Sequence, residues 1–536
     1  MSKDKFFYVF MFLAIILQSC GVSPPSPQES IEALKQQSSH PNILFILTDD
    51  MDMQGLEYMP KTKALIADQG TTFSNFIIAM ALCCPSRSCI LRGQYPHNTK
   101  IIANQPPRGG FERFHEMGEE KSTIAVWLQE AGYRTALMGK YLNGYPNTVE
   151  PEYIPPGWDE WYSPVKGAPY RQYKYTLNEN GKLVKYGNLP EDYGTDVYTQ
   201  KTLAFIKKSI QNNQPFFAFV SVYAPHTPTT SAPRHEGLFT DLPLPISPSF
   251  NEEDVSDKPQ AIRELPLLNK KQIVELEEEY RKRIRSLQAV DEMVEKFVNL
   301  LDQEQQLENT YIFFASDNGY HLGQHRLMQG KNSPYEEDIN VPLVIRGPKV
   351  VKGKVVEDLV GNTDLAPTFA EIGGAIAPSF VDGRSILPLM QGLAATKWRK
   401  AFLLEKGDAY DELYGGKGKN ENKGGGEEAH VAFTYDSILE PPDSPVYDFY
   451  LDKAFGGMPF YGIRTLDYTY IEFEGDEREL YDLHKDPFQL VNIAYSFDEP
   501  QLLQLSTWVN ALKRCAASSC RQIEETMPSL LENLTK

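Results

Sequence analysis

Four short runs, each ending in polar residues with chemistry to offer, constrain this chain more than any other feature. Asn42–Thr48 (NILFILT) leads into Asp49-Asp50, and Tyr133–Met138 leads into Gly139-Lys140. Phe216–Val222 leads into Tyr223-Ala224-Pro225-His226, and Tyr311–Ala315 into Ser316-Asp317-Asn318-Gly319. Each run reads as a buried strand. Between them lie helical patterns, clearest in Lys271–Leu301, where Ile273, Leu276, Tyr280, Ile284, Leu287, Val290, Val294, Phe297 and Leu301 form one apolar stripe. Strands alternating with helices predict an α/β fold, a large, mostly parallel sheet sandwiched by helices. In such sheets ligands bind beyond the carboxyl ends of the strands, so the four polar endings mark the candidate site.

The pattern changes after Asp382-Gly383-Arg384-Ser385. Strand-like pieces at Ala401–Leu404, Phe460–Arg464, Tyr468–Phe473 and around Leu480-Tyr481-Asp482-Leu483, then a helix near Leu502–Leu512, predict a smaller α+β C-terminal domain over 393–536. That leaves 41–392 as the main body. Residues 415–426 (GGKGKNENKGGG) read as a flexible insertion. The Pro- and Tyr-rich stretches Asn143–Tyr170 and Thr227–Leu265 are long enough to shape a cleft.

At the N-terminus, Lys3 and Lys5 precede an apolar run, Phe6–Leu17, too short to span a bilayer but suited to a signal peptide over residues 1–19. Leu17-Gln18-Ser19-Cys20-Gly21 resembles a bacterial lipobox, which implies cleavage before Cys20, lipidation of that cysteine, and a Ser/Pro/Gln-rich tether over 20–40. The expected location is therefore outside the cytoplasm, in the periplasm or at the cell surface, held to a membrane by lipid. In that setting the close pair Cys515/Cys520 reads as a disulfide. A formal net charge of −19 speaks against nucleic acid as a partner and requires any anion site to be built locally.

Cys83, Cys84 and Cys89 remain, in the stretch Ala81–Gly93. Pro85 suits the first position of a short helix and Gly93 its end, which puts Cys83 just ahead of a helix N-terminus, a place that favours developing negative charge. A metal site, a disulfide or a plain buried helix start would explain the cysteines too. Asp49, Asp50, Asp317 and Asn318 suit one divalent cation such as Ca²⁺ or Mg²⁺, although each pair alone could be turn chemistry. Arg87, Lys140, His226 and Lys331 could converge on an anion, although any one of them alone is more often a bystander. Together they meet the needs of sulfate- or phosphate-ester cleavage: a nucleophile, a Lewis acid, cations for non-bridging oxygens, and an acid for the leaving alcohol.

Cys83-Cys84-Pro85-Ser86-Arg87 resembles the C-x-P-S-R signature of the type I sulfatases, of the alkaline phosphatase superfamily. The resemblance continues, in the family's order, through Leu47-Thr48-Asp49-Asp50, Met138-Gly139-Lys140-Tyr141, Ala224-Pro225-His226, Ser316–His321 and Val341-Pro342-Leu343. Gln94–Asn98, Lys140–Asn143 and Leu480–Leu483 look most like glucosamine-6-sulfatases and heparan-sulfate-acting relatives.

The resemblance implies oxidation of Cys83 to formylglycine by a maturation enzyme. One hydroxyl of its hydrate attacks sulfur, and the other later expels sulfate. It further implies Ca²⁺, with Mg²⁺ the lesser candidate, on Asp49, Asp50, Asp317, Asn318 and residue 83. Arg87 would support the formylglycine, Lys140 and Lys331 would hold sulfate oxygens, and His226 would assist the leaving group. Leu142 stands where many members carry a second histidine, so Asn143, His321 and His325 become substrate-binding candidates. The implied substrate is a sulfated carbohydrate, either a glycosaminoglycan or an algal polysaccharide such as ulvan or carrageenan. Two rivals are a phosphomonoesterase or phosphodiesterase on the same fold and a non-catalytic glycan-binding lipoprotein. The phosphoesterases use Ser or Thr with two zinc ions and further His/Asp ligands, a set not found here.

Overall fold

A ten-stranded mixed sheet organises the chain. The structure, a computed structural model, describes residues 40–393, 397–406 and 459–534. The expected signal peptide, Cys20, all of the tether before His40 and the 415–426 insertion lie outside the described residues. In spatial order the strands are Lys354–Val356, Thr71–Phe73, Leu343–Arg346, Thr310–Ser316, Asn42–Thr48, Phe216–Ser221, Arg134–Gly139, Glu160–Gly167, Tyr175–Glu179 and Lys182–Lys185. The four strands read from the sequence are neighbours at its centre. They run parallel, joined on one side by Glu160–Gly167.

The flanks depart from the expected parallel run. Leu343–Arg346 returns antiparallel beside Thr310–Ser316, and Tyr175–Glu179 and Lys182–Lys185 form a hairpin. The short connections from Glu160–Gly167 to Tyr175–Glu179 and on to Lys182–Lys185 allow only antiparallel neighbours, since a parallel crossover needs a dozen residues or more.

The apolar strands follow from burial on both faces. Ile43, Phe45 and Leu47 point into one cluster with Phe217, Phe313 and Phe369. Leu44 and Ile46 point into the other, with Ala218, Val220, Phe314 and the stripe Leu276, Tyr280, Ile284 and Leu287. That stripe belongs to the helix Lys270–Gln303, capped at its start by Asn269, whose side chain accepts from the Lys271 and Gln272 amides.

Register then levels the edge. Thr48 lies beside Ser316, Leu47 beside Ser221, and Gly139 beside Ser221. The residues that follow therefore emerge together.

The smaller sheet is antiparallel in chain order: Phe402–Lys406, Phe460–Arg464, Tyr468–Phe473 and Arg478–Asp482. Helix Glu499–Leu512 packs on it through Leu505, Val509 and Leu512. Cys515 and Cys520 are joined in a disulfide. The two sheets are tied by buried charge. Arg399 Nη2 donates to Asp364 Oδ1 at 2.7 Å and Arg399 Nε to Glu524 Oε2 at 3.0 Å, and Tyr95 donates to Glu524 Oε1 at 2.5 Å.

Candidate active site

The helix Cys83–Arg92 supplies the floor of the site. Cys83 is its first residue and Leu82 its N-cap, so the start lies two residues earlier than Pro85 suggests. Proline is tolerated inside the first turn because those amides have no intrahelical acceptor. Gly93 ends the helix with φ +68°, and a β-carbon there would come within 2.9 Å of Val381.

Around Cys83 the strand ends deliver their charges. Lys331 Nζ lies 2.7 Å from Cys83 Sγ and also donates to Asp50 Oδ1. Asp49 Oδ1 is 3.6 Å from the same sulfur, and Asp49 Oδ2 accepts from Lys140 Nζ at 2.7 Å. Arg87 Nε donates to Asp317 Oδ2 at 2.8 Å, and Nη1 to Ser221 Oγ at 2.6 Å. Asn318 Nδ2 donates to Asp50 Oδ1 at 2.7 Å. His226 Nδ1 sits 2.6 Å from the Thr227 carbonyl, so that nitrogen carries a proton, and Nε2 faces Asp50 Oδ2 at 3.6 Å.

Backbone geometry is specialised where these residues meet. Asp50 adopts φ +66°, a left-handed conformation that costs energy in a non-glycine residue. It is over-determined there: its amide donates to Asp317 Oδ1 at 3.1 Å, and Arg283 donates to its carbonyl. Gly139 has φ +105°, and a β-carbon would sit 1.9 Å from the Ser221 carbonyl oxygen. Only glycine lets the strand turn Lys140 inward at that point.

Electrostatics follow from burial. Burial works against ionisation of Asp49, yet Lys140, His226, Arg87 and Lys331 hold it well below the usual carboxylate range. Asp50 is likewise lowered against burial, chiefly by Lys331. Burial and the Asp49 charge push Asp317 up to about 6 against the pull of Arg87. Burial pushes the Cys83 thiol up to about 12, opposed by Lys140 and Lys331.

Three carboxylates thus face three permanent cations, and two oxygens stay unmatched. Asp50 Oδ2 and Asn318 Oδ1 are buried without hydrogen-bond partners. Ligand atoms of Asp49, Asp50, Cys83 and His226 lie within 4.8 Å of one another. Hard oxygens left unpaired inside a cluster of carboxylates fit a divalent cation.

The structure thus gathers Asp49, Asp50, Cys83, Arg87, Lys140, His226, Asp317, Asn318 and Lys331. His321 lies nearby in sequence, its Nδ1 2.9 Å from Asp338 Oδ1. Asn143 keeps a buried, unpartnered Oδ1 while its carbonyl accepts from the Phe111 amide at 2.6 Å. His325 is different, with no exposure. Its Nδ1 lies 2.7 Å from Glu252 Oε2 and its ring 4.1 Å from Tyr335, so it holds a loop and has no surface to offer a substrate. Cys84 and Cys89 are buried free thiols.

Sequence reasoning missed Arg283, which bonds the Asp50 and Pro225 carbonyls and stacks 4.0 Å from the Tyr320 ring. Its signal was a charged residue beside an otherwise apolar helix stripe. Tyr170, 4.5 Å from the His226 ring and 5.0 Å from Lys140 Nζ, was marked only as the end of the Tyr-rich stretch expected to shape a cleft.

Comparison with known proteins agrees with this geometry. The family profile described as Sulfatase matches residues 41–375. The chain is 36% identical over 497 residues to the N-acetylglucosamine-6-sulfatase of Homo sapiens, covering 90% of this chain and 86% of the relative. It is 39% identical over 417 residues to a putative extracellular sulfatase Sulf-1 homolog of Caenorhabditis elegans, covering 75% of this chain and 56% of that relative. A solved structure described as bound to its substrate D-glucosamine-2-N,6-O-disulfate shares the fold with a TM-score of 0.69 at 24% identity, over 91% of this chain and 99% of that one. A profile spanning the large sheet, and a 36% identical relative matched over most of both chains, make this chain a member of the sulfatase family and an enzyme that hydrolyses sulfate esters.

Proposed function

We propose that the enzyme removes sulfate esters from a sulfated glycan, with 6-O-sulfated glucosamine units the foremost candidate. Cys83 acts after conversion to formylglycine by a maturation enzyme, with Ca²⁺ held by Asp49, Asp50, Asp317, Asn318 and residue 83. The observation that carries this reading is the meeting of Lys331 with Cys83, and of Lys140 and Arg87 with Asp49 and Asp317 around it, beside the unpartnered oxygens of Asp50 and Asn318. Names of relatives support the sugar: N-acetylglucosamine-6-sulfatases recur among them. The expected N-terminal lipid would place the enzyme in the periplasm or at the cell surface, against polymeric substrate.

Once present, the formylglycine supplies an attacking hydroxyl and the cation supplies Lewis acidity at the ester. The chain's own residues do the rest. Lys140 and Lys331, which bond Asp49 and Asp50, would hold non-bridging sulfate oxygens, and those carboxylates would help to hold the cation. Arg87 fixes Asp317 and bridges to Ser221, so the floor does not move as charge develops. His226, its Nδ1 proton committed to Thr227, presents Nε2 to exchange a proton with the leaving oxygen.

Mass spectrometry of the Cys83 peptide, from a host with the maturation enzyme, should show aldehyde in place of thiol. Release of free sulfate from a panel of sulfated oligosaccharides then identifies the glycan. An active enzyme with an unmodified thiol defeats the formylglycine assignment, and comparable turnover of phosphate esters favours the phosphoesterase rival.

A further inference from the structure

The turn Asn104–Gly110 lies against the catalytic helix and carries an arginine that has no carboxylate partner among the described residues. Asn104 Oδ1 accepts from the Cys84 amide at 2.9 Å, immediately after the nucleophile position. Ile102 donates to the Arg108 carbonyl at 2.9 Å and Ala103 pairs with Gly109, so Arg108 is folded back beside Asn104. On the other side, Phe111 donates to the Asn143 carbonyl at 2.6 Å, three residues after Lys140. Arg108 is only 8% exposed and its Nε is buried without a partner. Among the described residues no carboxylate pairs with it. Asn143 Oδ1, on the neighbouring loop, is also buried and unpartnered. A buried guanidinium N–H and a neutral acceptor thus stand unmatched on two loops that the Phe111–Asn143 backbone bond ties together, under a turn whose exposed tip is Pro106-Pro107.

Leaving a buried guanidinium N–H without an acceptor is costly, and an arginine held this way is ordinarily matched by an anion. We infer that Arg108, with Asn143 taking a neighbouring hydroxyl or N–H, forms a subsite for a second oxyanion of the substrate, beside the sulfate to be cleaved. The inference rests on the sulfated-glucosamine reading above and sharpens it, because the favoured substrate then carries two anionic groups. The second is either a sulfate on the same ring or a carboxylate on the adjoining sugar. Arginine suits both, since its planar fork binds either oxyanion through paired hydrogen bonds.

Three substrates separate the cases with matured full-length enzyme: N-acetylglucosamine-6-sulfate, D-glucosamine-2-N,6-O-disulfate, and a disaccharide joining a uronate to N-acetylglucosamine-6-sulfate. Arg108→Gln should lower kcat/KM on one dianionic substrate, relative to the first compound, by about 10- to 100-fold, mainly through KM. Arg108→Lys should recover part of that preference. The substrate affected tells which anion the subsite takes. An unchanged ratio for both overturns the subsite. So does an equal loss on all three substrates with a lowered Tm, which makes Arg108 structural. A wild-type enzyme inactive on all three while cleaving another sulfated sugar overturns the glucosamine reading instead, and the subsite with it.

Discussion

His97 sits in a segment that looks like a sulfatase motif, yet its contacts make it a clamp between the two sheets. Its Nδ1 lies 2.8 Å from Glu405 Oε1 on the first strand of the small sheet, and its Nε2 2.9 Å from the Cys515 carbonyl. Both contacts are best served by the imidazolium, which donates from both nitrogens. Burial opposes that charge, but Glu405 and the carbonyl overcome it and raise His97 from 6.5 to about 9. A rise of that size corresponds to about 3 kcal/mol of folding free energy.

The sign is fixed, because the folded state holds the proton more tightly than the unfolded chain. The contribution is therefore complete below about pH 6.5, falls by about 1.4 kcal/mol per pH unit above it, and is gone once pH passes about 9. Replacing His97 by Gln removes the titrating group while keeping a polar side chain of similar reach. Urea unfolding of both proteins at pH 6 and pH 10 should show a gap of about 3 kcal/mol that closes at the higher pH. Parallel pH profiles for the two proteins would refute the clamp, and a gap that widens with pH would mean that the imidazole is held neutral.

Three further outcomes follow from the same contacts. Lys331→Ala should lower kcat by about 10²–10³, the usual loss for one positioned donor at a developing charge; sulfate release within tenfold of wild type would remove Lys331 from the reaction. Ca²⁺ at a hundred times its Kd should stabilise the protein by about 2.7 kcal/mol. Excess EGTA should reverse that gain in a thermal melt, and Asp50→Asn should lose most of it. Arg399→Ala leaves Asp364 buried without its cation, while Glu524 keeps Arg384, and should cost about 3–5 kcal/mol in denaturant unfolding; a loss below about 1 kcal/mol would show that Arg399 adds little to holding the two sheets together.

How much of this was legible in the chain depends on the range of the interaction concerned. The central strands could be read because burial on both faces demands apolar residues at every position, a local signal that tertiary context does not reverse. Most of the catalytic set could be read because Asp49, Asp50, Lys140, His226, Asp317 and Asn318 follow the central strands and Cys83 opens a helix, whereas Lys331 follows the separate short strand Gln329–Gly330 and was given its role through the resemblance. The antiparallel flanks escaped, since short polar-flanked strands such as Lys182–Lys185 leave only a weak pattern. The helix start moved from Pro85 to Cys83 because a first turn is defined by what its amides lack, which sequence does not display.

By itself, then, the sequence determined the sheet, the edge where chemistry occurs and the residues delivered there, because each is set by neighbours along the chain. Only the tertiary structure decided which polar groups are matched. It buried His325 against Glu252 and Tyr335, turned His97 into a clamp and brought Arg283 behind Asp50. It also left Asp50 Oδ2, Asn318 Oδ1 and the Arg108 Nε without partners. Whether a charge finds its counterpart depends on residues hundreds of positions away and on the water excluded between them, so that pairing exists only once the chain has packed.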